Sequence, residues 1–334
     1  MNIAVIGSGS WGTVVAAMVA SRAPTTLWAR REESALEMTS SRENKSYLPG
    51  VELPESLAVT SDLAAALESA DVVVMAVPSH GFRDVLERAK DLVHPDARVV
   101  SLAKGVEQGS QLRMTQIAAE VLSIDPTRIG VLTGPNLARE VALGQPAAAV
   151  VAVADQTIAE ELQVLFMQPT FRVYTNPDVV GCESAGALKN VMGIAAGMAH
   201  GLGYGDNSKA ALVTRALAEL TRLGVALGGA PLTFAGLAGM GDLVATCFSD
   251  QSRNRRVGVE LGRGKSLEMI VSEMNMVAEG VKSTEAILAL ASRHGIEMPI
   301  AETVGLVLYE GSRPVDMVER LMTREAKAEL HGID

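Results

Sequence analysis

The chain has 334 residues, of which 48% are hydrophobic, and a formal net charge of -10 at pH 7. This length predicts two domains, because single hydrophobic cores seldom grow beyond about 250 residues. The acidic charge and an aromatic content of only 3% argue against a nucleic-acid partner, which needs basic surfaces and stacking side chains. Any phosphate ligand must therefore be held by local basic clusters.

The cysteines and histidines indicate neither a disulfide framework nor a metal site. Cys182 and Cys247 are the only cysteines, and the five histidines show no metal-ligand spacing. No stretch reaches the roughly 18 uninterrupted apolar residues of a membrane span, and the sequence opens on a strand-like run rather than a charged leader. We therefore expect a cytoplasmic protein without a metal or a membrane span, and a homodimer stays open.

A glycine-rich loop follows the first apolar run. Asn2–Ile6 predicts a buried strand and Ser10–Arg22 predicts a helix. Gly7, Gly9 and Gly12 have the spacing of a dinucleotide-binding turn, in which the first makes the tight turn and the second lets the backbone approach a pyrophosphate. The third lets the helix pack closely on the strand. The loop therefore predicts a nucleotide site.

The end of the second strand candidate bears on the cofactor. Thr25–Ala29 leads into Arg30 and Arg31, where an NAD-preferring protein usually has a carboxylate. Guanidinium groups pair with the oxygens of a 2′-phosphate, which favours NADP with NAD as a second cofactor. Alternatively, the two arginines are solvated charges balanced by Glu32 and Glu33.

Apolar runs alternate with helical patterns through the first half of the chain, which predicts a parallel, doubly wound sheet of the Rossmann type. Its further strand candidates are Asp71–Val77, Arg98–Leu102, Ile129–Leu132, Ala147–Val153 and Phe171–Tyr174. Alanine- and glycine-rich helical patterns then continue to the C-terminus. We therefore expect an α/β fold, with a dinucleotide-binding domain over 1–178 and an all-α substrate-binding and catalytic domain over 179–334.

Three loops follow predicted strands and become site candidates, because ligands of such sheets bind at the carboxyl ends of strands. They are Val77–His80, Ala103–Gly105 and Thr133–Asn136.

One lysine stands in an apolar helical pattern. Lys189 lies within Glu183–Gly203, and its neighbours three and four positions away are small or apolar. A desolvated amine has a lowered pKa and can exchange a proton with an alcohol or a carbonyl oxygen. The alternative is a lysine that extends to water from the helix margin.

A second group of polar residues surrounds a predicted helix start after Ser249. Arg253 and the first amides of that helix can form a phosphate site, with Ser252 and Asn254 as further donors, although a solvated basic face is the alternative. Upstream, Asp242 follows a glycine-rich segment. It either orients Lys189 or accepts a substrate proton, or it simply caps a helix.

The motifs, taken in order, resemble those of bacterial NAD(P)-dependent glycerol-3-phosphate dehydrogenases. GSGSWG, LWAR, VPSH, LAKG, TGPNLARE, GALKNVMGIAAG, GLAGMGDLVATC and QSRNRR occur at compatible separations over essentially the whole chain. The resemblance implies an architecture like that of 6-phosphogluconate dehydrogenase. It also implies reversible NAD(P)H-dependent reduction of dihydroxyacetone phosphate to sn-glycerol 3-phosphate, which feeds glycerophospholipid synthesis.

The resemblance further implies roles for individual residues. Lys189 is the expected proton acceptor, with Lys104 and Asp242 as its catalytic neighbours. The expected cofactor contacts beside the glycines and arginines above are Ser10, Trp11, Lys104, Ala138, Arg253, Val277 and Glu279. The expected substrate contacts are Lys104, Gly134, Asn136, Lys189, Asp242, Ser252, Arg253 and Asn254. Asn136 departs from the serine or threonine of many relatives, yet an amide still donates a hydrogen bond.

Two functions other than glycerol-3-phosphate dehydrogenase are alternatives for this sequence. A 6-phosphogluconate or 3-hydroxyacyl-CoA dehydrogenase shares a sheet followed by helices, but the later motifs argue against both. A non-catalytic NADP sensor is a further alternative, because nucleotide-binding folds are reused without chemistry. The presence of Lys104, Lys189, Asp242 and Arg253 in one chain argues against it.

Overall fold

The structure, a computed structural model, describes residues 1–274, 278–326 and 328–329. The chain divides into two compact units. The first contains residues 1–103 and 113–179, and the second contains residues 104–112 and the chain from 180 onwards. The sequence-based division at residue 178 differs from this one by the segment 104–112, which brings Lys104 into the second unit.

The first unit is built on an eight-stranded sheet of order β3-β2-β1-β4-β5-β6-β7-β8. The first six strands have the order of a doubly wound dinucleotide-binding fold, so the predicted Rossmann-type architecture is confirmed. Their near-continuous Val, Ile and Leu runs suit strands that are covered by helices on both faces. The strands are β1 (Ile3–Ile6), β2 (Thr25–Trp28), β3 (Leu57–Thr60), β4 (Val72–Met75), β5 (Arg98–Ser101), β6 (Ile129–Thr133), β7 (Ala147–Ala152) and β8 (Phe171–Asn176).

The prediction of an all-parallel sheet is wrong at one pair of strands. β6 and β7 are antiparallel, whereas every other neighbouring pair is parallel. Only residues 134–146 join these two strands, and their single helix, Ala138–Ala142, has five residues. A parallel crossover usually carries a full helix across one face of the sheet. This connection of thirteen residues has only a five-residue helix, and it returns the chain in the opposite direction.

One strand was missed by the sequence analysis. β3 has four residues, lies at the edge of the sheet, and is buried only at Leu57. A short, half-exposed edge strand has neither the length nor the apolar run that a pattern search detects.

Helices cover the sheet, and the apolar side chains of β1, β4 and β7 meet those of the helices in one core. The helices of this unit are α1 (Ser10–Ala20), α2 (Glu32–Ser41), α3 (Leu63–Leu67), α4 (Phe82–Ala89), α5 (Met114–Leu122), α6 (Ala138–Ala142) and α7 (Gln156–Phe166).

The regular elements described in the second unit are helices, as predicted. They are α8 (Val179–Gly201), α9 (Asp206–Ala226), α10 (Pro231–Ala235), α11 (Asp242–Phe248), α12 (Arg253–Gly262), α13 (Leu267–Ser272), α14 (Glu279–Arg293), α15 (Pro299–Tyr309) and α16 (Pro314–Met322), with a π-helical turn, Leu237–Gly241, directly before α11. None of the described helices is long and apolar enough to cross a membrane.

In the second unit, the backbones of α8 and α12 lie in close contact. A Cβ on Gly197 would lie 2.1 Å from the carbonyl oxygen of Arg255, and one on Gly258 would lie 2.0 Å from that of Ile194. Gly201 and Gly262 extend the same contact along both helices. Because only glycine permits this backbone contact, these residues fix where α12 begins beside α8.

Candidate active site

The glycine loop of the first unit has the geometry that the sequence predicted. Gly7 has φ of 118°, and a Cβ there would lie 2.6 Å from the carbonyl oxygen of Ala76. A Cβ on Gly12 would lie 2.2 Å from the carbonyl oxygen of Gly7, so helix α1 packs directly on the turn. Gly9, in contrast, has open space where its side chain would be. The loop therefore leaves room for a ligand above Gly9.

Neighbouring side chains hold this loop in place. The amide Nδ2 of the buried Asn44 donates to the carbonyl oxygen of Ser8 and to Oγ1 of Thr13, both at 2.8 Å. The hydroxyl of Ser10 donates to the carbonyl oxygen of Tyr47 at 2.6 Å. The ring of Trp11 packs against Phe171, with the ring centroids 5.9 Å apart. Asn44 was not recognised from the sequence, because a single buried amide has no periodic pattern.

Arg30 and Arg31 are exposed and follow β2 after one residue, with Arg31 as the N-cap residue of α2. In the loop after β6, Gly134 has φ of 129° and packs against Ala149, and Ala138 is the first residue of α6. Asn136, which stands between Gly134 and Ala138 in the sequence, is half-buried.

In the second unit, the carboxylate of Asp242 bridges two lysines. Its Oδ2 is 2.6 Å from Nζ of Lys104, and its Oδ1 is 2.7 Å from Nζ of Lys189. The ammonium of Lys189 also donates to Oγ1 of Thr246 at 2.6 Å. Asp242 and Thr246 are one turn apart on α11 and therefore face Lys189 together. Two alternatives are excluded: Lys189 does not extend to water, and Gly241 rather than Asp242 is the N-cap of α11.

Burial changes the electrostatics of this cluster. Lys189, Asp242 and Thr246 are each less than 8% exposed. Desolvation lowers the pKa of Lys104 to about 8, while the charge of Asp242 raises it and the charge of Lys189 lowers it. One carboxylate thus faces two lysine side chains, and it cannot balance both of their positive charges when both are protonated.

Two asparagines connect this cluster to the start of α14. Nδ2 of Asn190 donates to the carbonyl oxygen of Lys104, and Nδ2 of Asn254 donates to Oδ1 of Asn190, both at 2.9 Å. Oδ1 of Asn254 in turn accepts from the backbone N–H of Gly280 at 2.9 Å. A Cβ on Gly280 would lie 2.8 Å from the carbonyl oxygen of Asn190 and 2.8 Å from Oδ1 of Asn254, so the position requires glycine.

The predicted helix start after Ser249 is present as α12. The buried Ser252 is its N-cap and accepts from the backbone N–H of Arg255 at 3.3 Å. Arg253, the first residue, is exposed, and Asn254, the second, is buried in the asparagine pair.

Glu279 is the first residue of α14, and its charge raises the pKa of Lys104. Val277 lies outside the described residues.

Sequence reasoning found the charged members of the cluster but missed Thr246 and Asn190. The i, i+4 spacing of Asp242 and Thr246 and the adjacency of Asn190 to Lys189 were signals that could have found them. Among the residues that the structure describes, no group of three or more His, Cys, Asp or Glu side chains is arranged to hold a metal ion.

Comparison with sequence families gives two matches. Residues 2–159 match the NAD-dependent glycerol-3-phosphate dehydrogenase N-terminus, and residues 178–319 match the C-terminus of the same family. A glycerol-3-phosphate dehydrogenase [NAD(P)+] of Streptomyces coelicolor is 54% identical over 330 residues, which cover 98% of each chain. A second relative, the glycerol-3-phosphate dehydrogenase [NAD(P)+] 2 of Sphingopyxis alaskensis, is 53% identical over 99% of each chain.

Solved structures agree with these matches. The crystal structure of glycerol-3-phosphate dehydrogenase from Coxiella burnetii superposes with a TM-score of 0.92 at 38% identity, covering 97% of this chain and 99% of that one. The octopine dehydrogenase structure, at 14% identity and a TM-score of 0.59, shares the fold alone. The resemblance found in the sequence is confirmed, and the chain belongs to the NAD-dependent glycerol-3-phosphate dehydrogenase family.

Proposed function

We propose that this protein catalyses the reversible NAD(P)H-dependent reduction of dihydroxyacetone phosphate to sn-glycerol 3-phosphate and so supplies glycerophospholipid synthesis. The observation that carries the proposal is the buried cluster in which Asp242 bridges Lys104 and Lys189. A ketone that is reduced to an alcohol needs one proton on its oxygen, and a lysine held in a buried site can deliver it.

Lys189 is the proposed proton donor to the C2 oxygen and the acceptor in the reverse direction. Its ammonium is held by Asp242 and Thr246, which fix the direction of its remaining N–H. Lys104 adds positive charge beside the same oxygen and stabilises the negative charge that develops there. Asp242 keeps the two ammonium groups together despite their repulsion.

The start of α12 is the proposed site of the substrate phosphate. Arg253 is exposed on its first turn, where helix amides and a guanidinium together favour an anion. Ser252 and Asn254 flank it, with Gly134 and Asn136 as further proposed contacts. Fixing the phosphate holds C2 at a set position, which reduces the entropic cost of reaction.

The nicotinamide cofactor supplies the hydride to C2 when it is bound. Gly7, Gly9 and Gly12 are proposed to hold its pyrophosphate, since the loop is closed where Gly12 packs and open above Gly9. The domain over 1–178 is the proposed dinucleotide-binding part. Ser10, Trp11, Lys104, Ala138, Arg253, Val277 and Glu279 are proposed cofactor contacts from the family resemblance.

One spectrophotometric assay tests the reaction. NADPH oxidation is followed with dihydroxyacetone phosphate and, in parallel, NADP⁺ reduction with 6-phosphogluconate and NADH oxidation with acetoacetyl-CoA. We expect turnover with the first substrate alone. Lys189→Ala should lose at least about 100-fold in kcat because the proton donor is gone, while NADPH binding measured by fluorescence is retained. Lys265→Ala, at a half-buried position of the same unit, is the matched control, and a fully active Lys189→Ala enzyme would refute the assignment.

The cofactor preference is tested separately. If Arg30 and Arg31 contact a 2′-phosphate, Arg30→Ala and Arg31→Ala should raise KM for NADPH more than KM for NADH. Glu32→Gln and Glu33→Gln are the controls: they change the local charge without removing an arginine, so they should leave the ratio of the two KM values unchanged. An unchanged NADPH preference in both arginine variants removes the argument for NADP.

A cytoplasmic location and a homodimer stay predictions, and light scattering tests whether the protein is a homodimer.

A further inference from the structure

A basic cavity lies in the second unit, farther along α8 than Lys189. Its volume is about 90 Å³, several times what one water molecule needs. Lys209 and Arg255 supply its cationic lining, His200 adds an imidazole, and Val213, Cys247 and Phe248 supply apolar walls. His200 follows Lys189 by eleven residues on α8, which corresponds to roughly 16 Å along the helix.

Arg255 and Lys209 form ion pairs in this cavity with carboxylates that are exposed to water. The guanidinium of Arg255 is 11% exposed, and its carboxylate partner, Asp250, is 94% exposed at a distance of 2.5 Å. Nζ of Lys209 is 3.3 Å from Asp206, which is fully exposed. Carboxylates so well hydrated contribute little to binding a cation, so both cations keep the capacity to bind another anion.

The third group, His200, experiences this excess of positive charge. Desolvation is the largest cause that lowers its pKa, and the charges of Arg255, Lys209 and Arg263 lower it further, whereas Asp250 raises it. The imidazole lines the cavity and has no hydrogen bond among the described residues, so its N–H is available as a donor to a ligand. Three donors from α8, α9 and α12 therefore converge on one space.

We propose that this cavity is a binding site for a small oxyanion, inorganic phosphate or a compact phosphate monoester, held by Lys209 and Arg255 with His200 as an added donor. A charge-assisted contact to a phosphate oxygen suits both side chains. The apolar wall of Val213 and Phe248 accommodates a short carbon group on a monoester. The proposal does not rest on the dehydrogenase reaction, because its site residues are not among those assigned to proton transfer or substrate.

The test is a calorimetric titration of the full chain with inorganic phosphate, in parallel with sulfate, at constant ionic strength maintained with KCl. Lys209→Met should weaken phosphate binding by at least about tenfold, because one charge-assisted hydrogen bond is lost. Lys209→Arg should restore the affinity, and Lys265→Met, at a half-buried lysine that does not line the cavity, should leave it unchanged. Sulfate should compete with phosphate, since both are tetrahedral oxyanions.

A second measurement separates this site from the proposed substrate site. Phosphate should raise the pKa of His200, followed by NMR of its imidazole, because an anion favours the charged ring. Without phosphate, Lys209→Met should keep kcat and KM for dihydroxyacetone phosphate within about twofold. Equal phosphate affinity of Lys209→Met and the parent chain, or an unshifted His200 resonance with phosphate bound elsewhere, would overturn the proposal whether or not the protein is a dehydrogenase.

Discussion

Lys189 and Asp242 come from different helices, yet the ammonium of the lysine lies 2.7 Å from the carboxylate of the aspartate in a buried site. The same carboxylate binds Lys104 at 2.6 Å. Breaking such a buried arrangement by removing one partner is costly, because it leaves charges without compensation. The shared carboxylate therefore fixes the position of both lysines and raises the pKa of Lys104.

Replacing this carboxylate separates its electrostatic role from its shape. Asp242→Asn should lower kcat by at least about 100-fold, because two ammonium groups then repel each other where the substrate oxygen must bind. The charge of Asp242 raises the pKa of Lys104, so that pKa should fall below its present value of about 8. A pH profile of kcat/KM measures the shift to lower pH. Asp206→Asn, which neutralises a fully exposed carboxylate, should leave the profile unchanged, and an unshifted profile in Asp242→Asn would contradict the prediction.

Lys104 should set the alkaline limit of activity. Its pKa of about 8 means that the side chain is charged below that pH and neutral above it. Since the positive charge stabilises the developing alkoxide, kcat/KM for dihydroxyacetone phosphate should be constant below about pH 8 and fall above it. In Lys104→Arg the falling limb should move to higher pH, because guanidinium keeps its proton. If kcat/KM of Lys104→Arg falls at the same pH as in the parent chain, the fall reflects the ionisation of a group other than Lys104.

The charged residues of the site were predictable from the sequence, whereas their connections were not. Lys189 stands out because its helical neighbours are apolar, and the Gly7 loop stands out because a strand precedes it and a helix follows it. The asparagine pair that links Lys104 to Gly280 brings together residues far apart in sequence. No local pattern predicts such a pairing, because it depends on how closely α8 and α12 approach.

The fold shows the same division between local and non-local information. Five of the first six strands follow from apolar runs that alternate with helical patterns, which predicts parallel pairing. The reversal at β7 depends on the short connection after β6, and β3 is too short and exposed to predict. The direction of β7 and the formation of β3 both depend on pairing with neighbouring strands, which local sequence patterns do not show.

Gly258 should be essential to the packing that aligns the site. A Cβ there would lie 2.0 Å from the carbonyl oxygen of Ile194, so Gly258→Ala must push α12 away from α8. We expect a loss of about 2–3 kcal/mol in the free energy of unfolding, measured with urea. KM for dihydroxyacetone phosphate should rise as well, since Asn254 moves with α12. Gly205→Ala, where a Cβ meets nothing within 4 Å, should cost about 1 kcal/mol or less. Helix propensity alone would make Gly258→Ala stabilising, so a gain in stability, or a loss no larger than that of Gly205→Ala, would contradict the close-packing explanation.

Glu219 should make the stability of the second unit depend on pH. Its carboxylate is 2% exposed and accepts from the backbone N–H groups of Ile300 and Ala301 at the start of α15. Burial raises its pKa from 4.5 to about 7, although these hydrogen bonds and the charge of Arg222 lower it.

Because the folded-state pKa of Glu219 is above the unfolded value, its contribution to stability is fully present below pH 4.5 and is lost as pH rises through about 7. The free energy of unfolding should therefore fall by roughly 3 kcal/mol between pH 4.5 and pH 8 on account of this group. Glu219→Gln removes the ionisation, so urea unfolding at a series of pH values should show a smaller decline in the variant. Glu319→Gln, at an exposed position, should keep the full decline of the parent chain. If Glu219→Gln loses stability with pH as steeply as the parent chain does, the carboxylate is ionised throughout this range and its two backbone donors outweigh its burial.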